Sequence, residues 1–82
     1  MDIKIKVGQR IKELRKIILL SQESLANKAD VDRTYVTDVE NGRRNVSVEI
    51  LERLINALEV TVSEFFNSKE FKKWVKLIIM QE

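Results

Sequence analysis

Cysteine, histidine and proline are absent from this 82-residue chain, and glycine occurs only twice. Without cysteine or histidine there is no disulfide, no thiolate nucleophile, no imidazole base and none of the common zinc-ligand sets. Most small-enzyme chemistries are thereby excluded, and stability must come from packing, as in an intracellular protein. No proline, no Gly/Ser-rich run and no repeat marks a linker. The chain is long enough for one modest core, so residues 1–82 are expected to form a single domain. Long apolar runs are lacking too. Nothing approaches the roughly 20 residues that cross a bilayer, and the opening MDIKIKVGQR is broken by charge where a secretory signal would be apolar. The expectation is a soluble, non-secreted protein, which in a bacterium means a cytoplasmic one, with no membrane association, no cofactor, no metal, no small-molecule ligand and no catalytic residue.

What is present is charge, unevenly placed. The formal net charge is +2. Residues 1–20 hold six basic and two acidic side chains, residues 21–66 five and nine, and residues 67–82 four and two, so an acidic middle lies between basic ends. Apolar residues recur at helical spacing nearly throughout, which makes the fold class all-α. Val7, Ile11, Leu14 and Ile18 form the inward stripe of a helix over about residues 4–18. Ser21 is the N-cap of a second helix, about 22–29, with Leu25, Ala26 and Ala29 inward. Asp32 caps a third, to about residue 41, with Val36 and Val39 on its core side, and Gly42 ends it. Ser47 caps a fourth, about 48–58, carrying Ile50, Leu51, Leu54, Ile55 and Leu58. Thr61 and Glu64 have the spacing of a capping box ahead of Phe65 and Phe66. Phe71, Trp74, Val75 and Ile78 describe an amphipathic last helix, about 68–80.

Residues 22–41 carry the specific signal. Two helices that meet steeply through a three-residue turn need a small residue where they touch, apolar inner faces and a turn residue that tolerates positive φ. Ala26, then Leu25, Ala29, Val31, Val36 and Val39, and finally Asp30 meet those needs. This is the pattern of a helix-turn-helix, whose second helix fits the major groove. The stretch SQESLANKADVDRTYVTDVENGRRN resembles the Cro-type helix-turn-helix domain of phage repressors over about residues 7–66. Within that superfamily, DRTYV followed by ENGRRN is most similar to the controller proteins of restriction-modification systems. The resemblance implies a compact five-helix DNA-binding domain, a homodimer, and a near-palindromic operator at the promoters of its own gene and an adjacent endonuclease gene. It also implies activation at one operator followed by repression when a second dimer binds the next.

Arg33 offers a forked pair of donors to a guanine, and Thr34 and Thr37 bring short hydroxyls and methyls to base edges. Tyr35 either packs on its own helix or touches DNA. Asp38 either accepts from a cytosine amino group or restrains a neighbouring arginine. Ser21 and Gln22, at the start of the second helix, are placed to grip a phosphate, a role the resemblance also implies for Gln22. Lys28 and Arg43 are assigned to phosphates, whereas the resemblance takes Arg44 into the groove, implies a phosphate contact for Asn45 and implies an ion pair between Arg15 and Glu40. For phosphate contacts to prevail over the acidic middle, Glu49, Glu52, Glu59 and Glu64 are expected on the far face, with a moderate salt dependence. In KIILLSQ, the family commonly has polar residues at the positions of Ile17 and Ile18 and glycine at that of Leu19. The first helix is therefore expected to end differently and to leave apolar surface exposed unless the final helix covers it.

The last helix either docks on its own domain or joins Phe65, Phe66, Phe71, Trp74, Val75 and Ile78 in a two-fold interface. Two recognition helices would then lie about 34 Å apart, matching half-sites one DNA turn apart. An alternative is an antitoxin-like or phage-type repressor whose final helix binds a partner protein.

Overall fold

The computed structural model describes residues 2–69 and 71, and their secondary structure is entirely helical. Five helices occur in order: α1 (Ile3–Ile17), α2 (Gln22–Ala29), α3 (Arg33–Glu40), α4 (Val48–Ala57) and α5 (Val62–Phe65). The expected positions Trp74, Val75 and Ile78 of the last helix lie outside the described residues.

Four helices start on a side chain that accepts an orphan backbone N–H. Asp2 accepts from Lys4, Ser21 from Ser24, Ser47 from Ile50, and Thr61 from Glu64, whose carboxylate returns the bond to the Thr61 N–H at 2.9 Å. The fifth start differs from expectation. Asp32 stands at the N-cap of α3 with extended backbone, yet its carboxylate makes no capping hydrogen bond and is turned to solvent.

The helix ends share one device. Leu19 (φ 60°), Asp30 (58°), Gly42 (72°) and Glu59 (63°) all take the left-handed conformation just beyond a helix. The N–H of the next residue then reaches back five positions in three cases: Leu20 to Arg15, Val31 to Ala26 and Arg43 to Asp38, at 2.9–3.0 Å. These are Schellman turns, which satisfy late carbonyls and turn the next residue inward. Leu20 and Val31 pack on the core as a result. The expectation that α1 would end differently is thus corrected. Leu19 adopts the glycine-like conformation, at a cost of about 1–2 kcal/mol, because its side chain is 89% exposed and meets no obstacle. The exposed apolar surface expected there is found, since Ile17 is also exposed.

One core joins all five elements. Val7, Ile11 and Leu14 of α1, Leu25, Ala26 and Ala29 of α2, Val36 and Val39 of α3, Leu54, Ile55 and Ala57 of α4 with its cap Leu58, and Phe65 of α5 are all buried. Phe65 is fully enclosed. Its expected place in a dimer interface is therefore corrected: it belongs to the core of its own domain, in edge-on contact with Phe66 at 4.9 Å. Phe71 meets Phe66 in the same way, and both remain half-buried.

Gly8 permits the close approach of α1 to the end of α3. A Cβ there would fall on the Val39 carbonyl oxygen and lie 2.9 Å from that of Glu40. Two arginines set in otherwise apolar stripes stitch distant ends together. Arg10 donates to the Glu64 and Phe65 carbonyls at 2.8 and 2.7 Å, capping α5, and also to Glu13. Arg53 of α4 donates to the carbonyls of Ala29 and Asp30, holding the turn that leads into α3. Neither role was expected, although an arginine three residues after an inward apolar position is its trace in the sequence.

Candidate nucleic-acid interface

The turn Asp30–Asp32 separates α2 from α3, and Asp30 supplies the left-handed residue it requires. With Val36, Val39 and Glu40 buried, α3 is anchored along one side, and its start is left outward. Arg33 and Thr34 are exposed there, while Tyr35, Thr37 and Asp38 are partly covered. Arg43, Arg44 and Asn45 lie in the exposed loop beyond Gly42.

Behind this surface lies a buried charge pair. Arg15 donates from Nε to Glu40 Oε2 at 2.7 Å and from Nη2 to Oε1 at 2.9 Å, with the Glu40 side chain only 2% exposed. Arg15 Nη1 also holds the Leu20 carbonyl at 2.9 Å. The hydrogen bond to Glu40 raises the Arg15 pKa above its ordinary value, against the opposing effect of burial. A fork-to-fork pair of this kind fixes orientation as well as distance, so α3 is locked to α1 at its C-terminal end.

Gln22 joins the same network. Its Nε2 donates to Glu40 Oε1 at 3.1 Å, and its Oε1 accepts from Thr37 Oγ1 at 2.8 Å. The side chain expected to hold a phosphate thus links α2 to the face of α3. Ser21, assigned the same role, turns its hydroxyl to its own helix, toward Ser24.

Arg44 is held against α3 from outside. Its guanidinium lies 4.4 Å from the centre of the Tyr35 ring and 3.8 Å from Asp38. Of the two readings of Asp38, its place beside Arg44 is the one that restrains the arginine. An exposed cation–π contact and an exposed ion pair are each worth about 1 kcal/mol or less. The arginine is positioned but easily released.

Lys28 departs from its expected place. Its ammonium lies 3.5 Å from the Glu59 carboxylate, at the α2–α4 edge beside Arg53 and Asn56. The expected separation of Lys28 on a binding face from Glu59 on the far face fails at this pair, because the left-handed turn after α4 brings Glu59 up to the end of α2. Arg33, Arg43 and Arg44 are the basic residues that remain with α3 and its loop.

Two helices joined by a three-residue turn, with the second anchored at its back and polar at its exposed start, define a helix-turn-helix protein. Residues 11–65 match the helix-turn-helix family, and the chain belongs to it. More particularly, it is similar to controllers of restriction-modification. It is 50% identical over 70 residues to control protein C.MunI of Mycoplasma sp, covering 84% of this chain and 95% of the relative. The crystal structure of the restriction-modification controller C.AhdI from Aeromonas hydrophila shares 44% identity, with a TM-score of 0.76, over 80% of this chain and 100% of that one. The controller C.Esp1396I, solved as a tetramer in complex with its natural 35-base-pair operator, shares 36% identity and gives a TM-score of 0.77, over 80% of this chain and 87% of that one.

Proposed function

We propose that the protein is a sequence-specific DNA-binding transcriptional regulator, a homodimeric controller of a restriction-modification system that binds a near-palindromic operator. The observation that carries this reading is the exposed, polar start of α3, where Arg33 and Thr34 stand clear of a helix whose other side is buried. The family supports the regulatory role. The control proteins among its relatives support the controller role, and the operator complex of C.Esp1396I supports the assembly of several copies on DNA. The activity requires binding alone, without catalysis or cofactor, and its place is the bacterial cytoplasm. Among the described residues no helix is long and apolar enough to cross a membrane.

In this reading the start of α3 enters the major groove. Arg33, Thr34, Thr37 and the released Arg44 meet base edges there, with Tyr35 beside them. Arg43 and Asn45 meet phosphates. Phe66 and Phe71, with Trp74, Val75 and Ile78, contribute to the contact between copies. The test is a selection of duplexes from a random pool, then titration of Arg33→Ala against the recovered site. The variant is expected to lose about 1–3 kcal/mol on that site and to relax the preference at one or two base pairs. Selection of no sequence, or equal loss on every duplex, overturns the assignment.

A further inference from the structure

We infer that Thr37 reads DNA as a hydrogen-bond acceptor, recognising the exocyclic amino group of a cytosine or an adenine, and that Gln22 is the positioning residue that sets this polarity. The inference rests on the DNA-binding reading above and adds the chemical sense of one contact.

The polarity comes from counting hydrogens along one chain of side chains. The Glu40 carboxylate, paired with Arg15 at 2.7 and 2.9 Å, has lone pairs and no proton. Gln22 must therefore present its NH2 group to Glu40, and the distance is 3.1 Å. The buried pair thus fixes which way the amide faces. Its carbonyl oxygen is left toward Thr37, 2.8 Å from Oγ1, and a carbonyl cannot donate. Thr37 has to supply the hydrogen.

The second oxygen near the hydroxyl, the Arg33 carbonyl at 3.1 Å, also only accepts. One proton thus faces two acceptors inside the protein, and none is left for DNA. What Thr37 offers outward is a pair of oxygen lone pairs and a methyl group. It lies one turn beyond Arg33, on the same side of α3. In the major groove the donors are the amino groups of adenine and cytosine. Guanine N7 and O6 and thymine O4 are acceptors and would face the Thr37 oxygen without a hydrogen between them.

The experiment uses the full chain. Duplexes are selected from a random pool, and bases in the recovered site are replaced one at a time by analogues. Purine stands for adenine without its amino group, 2-pyrimidinone for cytosine without its amino group, and 2-aminopurine for guanine without O6. One position per half-site is expected at which loss of the amino group weakens wild-type binding about three- to tenfold, the worth of one hydrogen bond. Thr37→Val should be insensitive there, and Thr37→Ser should keep the preference. Gln22→Met removes the nearer acceptor and leaves the Arg33 carbonyl, which already receives a backbone N–H within the helix. That variant should select the amino group less strongly while keeping discrimination elsewhere in the site. Thermal melts of each variant establish that it is folded.

Dependence of the Thr37 contact on O6, or an unchanged preference in folded Gln22→Met, overturns the inference. If a defined site is selected but Thr37→Val binds it like wild type, the inference alone falls. If no site is selected, the DNA-binding reading falls with it.

Discussion

Gly8 shows how much depends on the smallest side chain in α1. The helix passes so near the end of α3 that a methyl group would meet the Val39 and Glu40 carbonyl oxygens. Those are backbone atoms, with no rotamer to relieve the contact. The same segment carries the carboxylate that holds Arg15 and Gln22. Gly8→Ala should therefore destabilise the domain by about 1–3 kcal/mol, as overpacking does, despite the better helix propensity of alanine. Thermal melting checks it: a fall of about 4–8 °C per kcal/mol is expected in a domain of this size, and an unchanged or raised midpoint would sink the close approach. Gly8 could not be singled out in the sequence, because a glycine inside a helical stripe looks like a defect until the neighbouring helix is in place. Asp30 and Gly42 were legible, since residue type and position agreed. Leu19 and Glu59 take the same conformation without any local preference for it, because Leu20 and Val60 beside them must turn onto the core. Asp32 shows the reverse, a residue suited to capping whose carboxylate is left in solvent.

Between the helices, capping decides where each begins, and one cap has a pH signature. Glu64 accepts from the Thr61 N–H while Thr61 accepts from the Glu64 N–H. The hydrogen bond from the Thr61 backbone holds the Glu64 carboxyl below its ordinary 4.5, with the Thr61 side chain adding to the effect. A depressed folded pKa means that the unfolded chain binds the proton first as pH falls. The stability from this group is present above about the ordinary value and is lost as pH drops through the folded one. Glu64→Gln keeps an acceptor for Thr61 but has no charge to titrate. Wild type should melt slightly higher than this variant near neutrality, and the gap should close as pH falls below the ordinary carboxyl value and through the lowered folded one. A gap that persists in acid, or none at any pH, would contradict the assignment. The raised Arg15 pKa works in the opposite sense. Its contribution is complete below the ordinary value and disappears only at far more alkaline pH. This box, the caps at Ser21 and Ser47 and the helix-turn-helix were legible at element level because caps and apolar stripes are local patterns, whereas the Asp2 cap of α1 was not singled out. The links made by Arg10 and Arg53 were not, since each joins segments more than 20 residues apart.

At the scale of the molecule the acidic middle of the chain meets the negative charge of DNA, and the structure narrows how the two are reconciled. Lys28 is paired with Glu59 at 3.5 Å, and Arg44 must leave Asp38 before it can serve a base or a phosphate. Arg33 and Arg43 are the remaining cations of α3 and its loop, so a two-fold assembly on one operator brings on the order of four to six cations to the DNA. Each phosphate neutralised lowers the slope of log K against log salt by about 0.9. With Arg43 alone on phosphate the dimer slope is about −2, and with all six arginines there it is about −5, so a slope between these is expected, against about −10 for a strongly basic repressor. Titrating the selected operator at several salt concentrations measures it directly. A slope near −10 would bring the lysines of α1 to the DNA and turn the molecule on the duplex. A slope near zero would remove phosphate contact from the mechanism. Asp38→Ala sharpens the same measurement: freeing Arg44 removes a competing carboxylate, so the variant should bind unrelated duplexes more tightly, with a steeper slope and less discrimination. An unaltered slope would show that Arg44 reaches no phosphate.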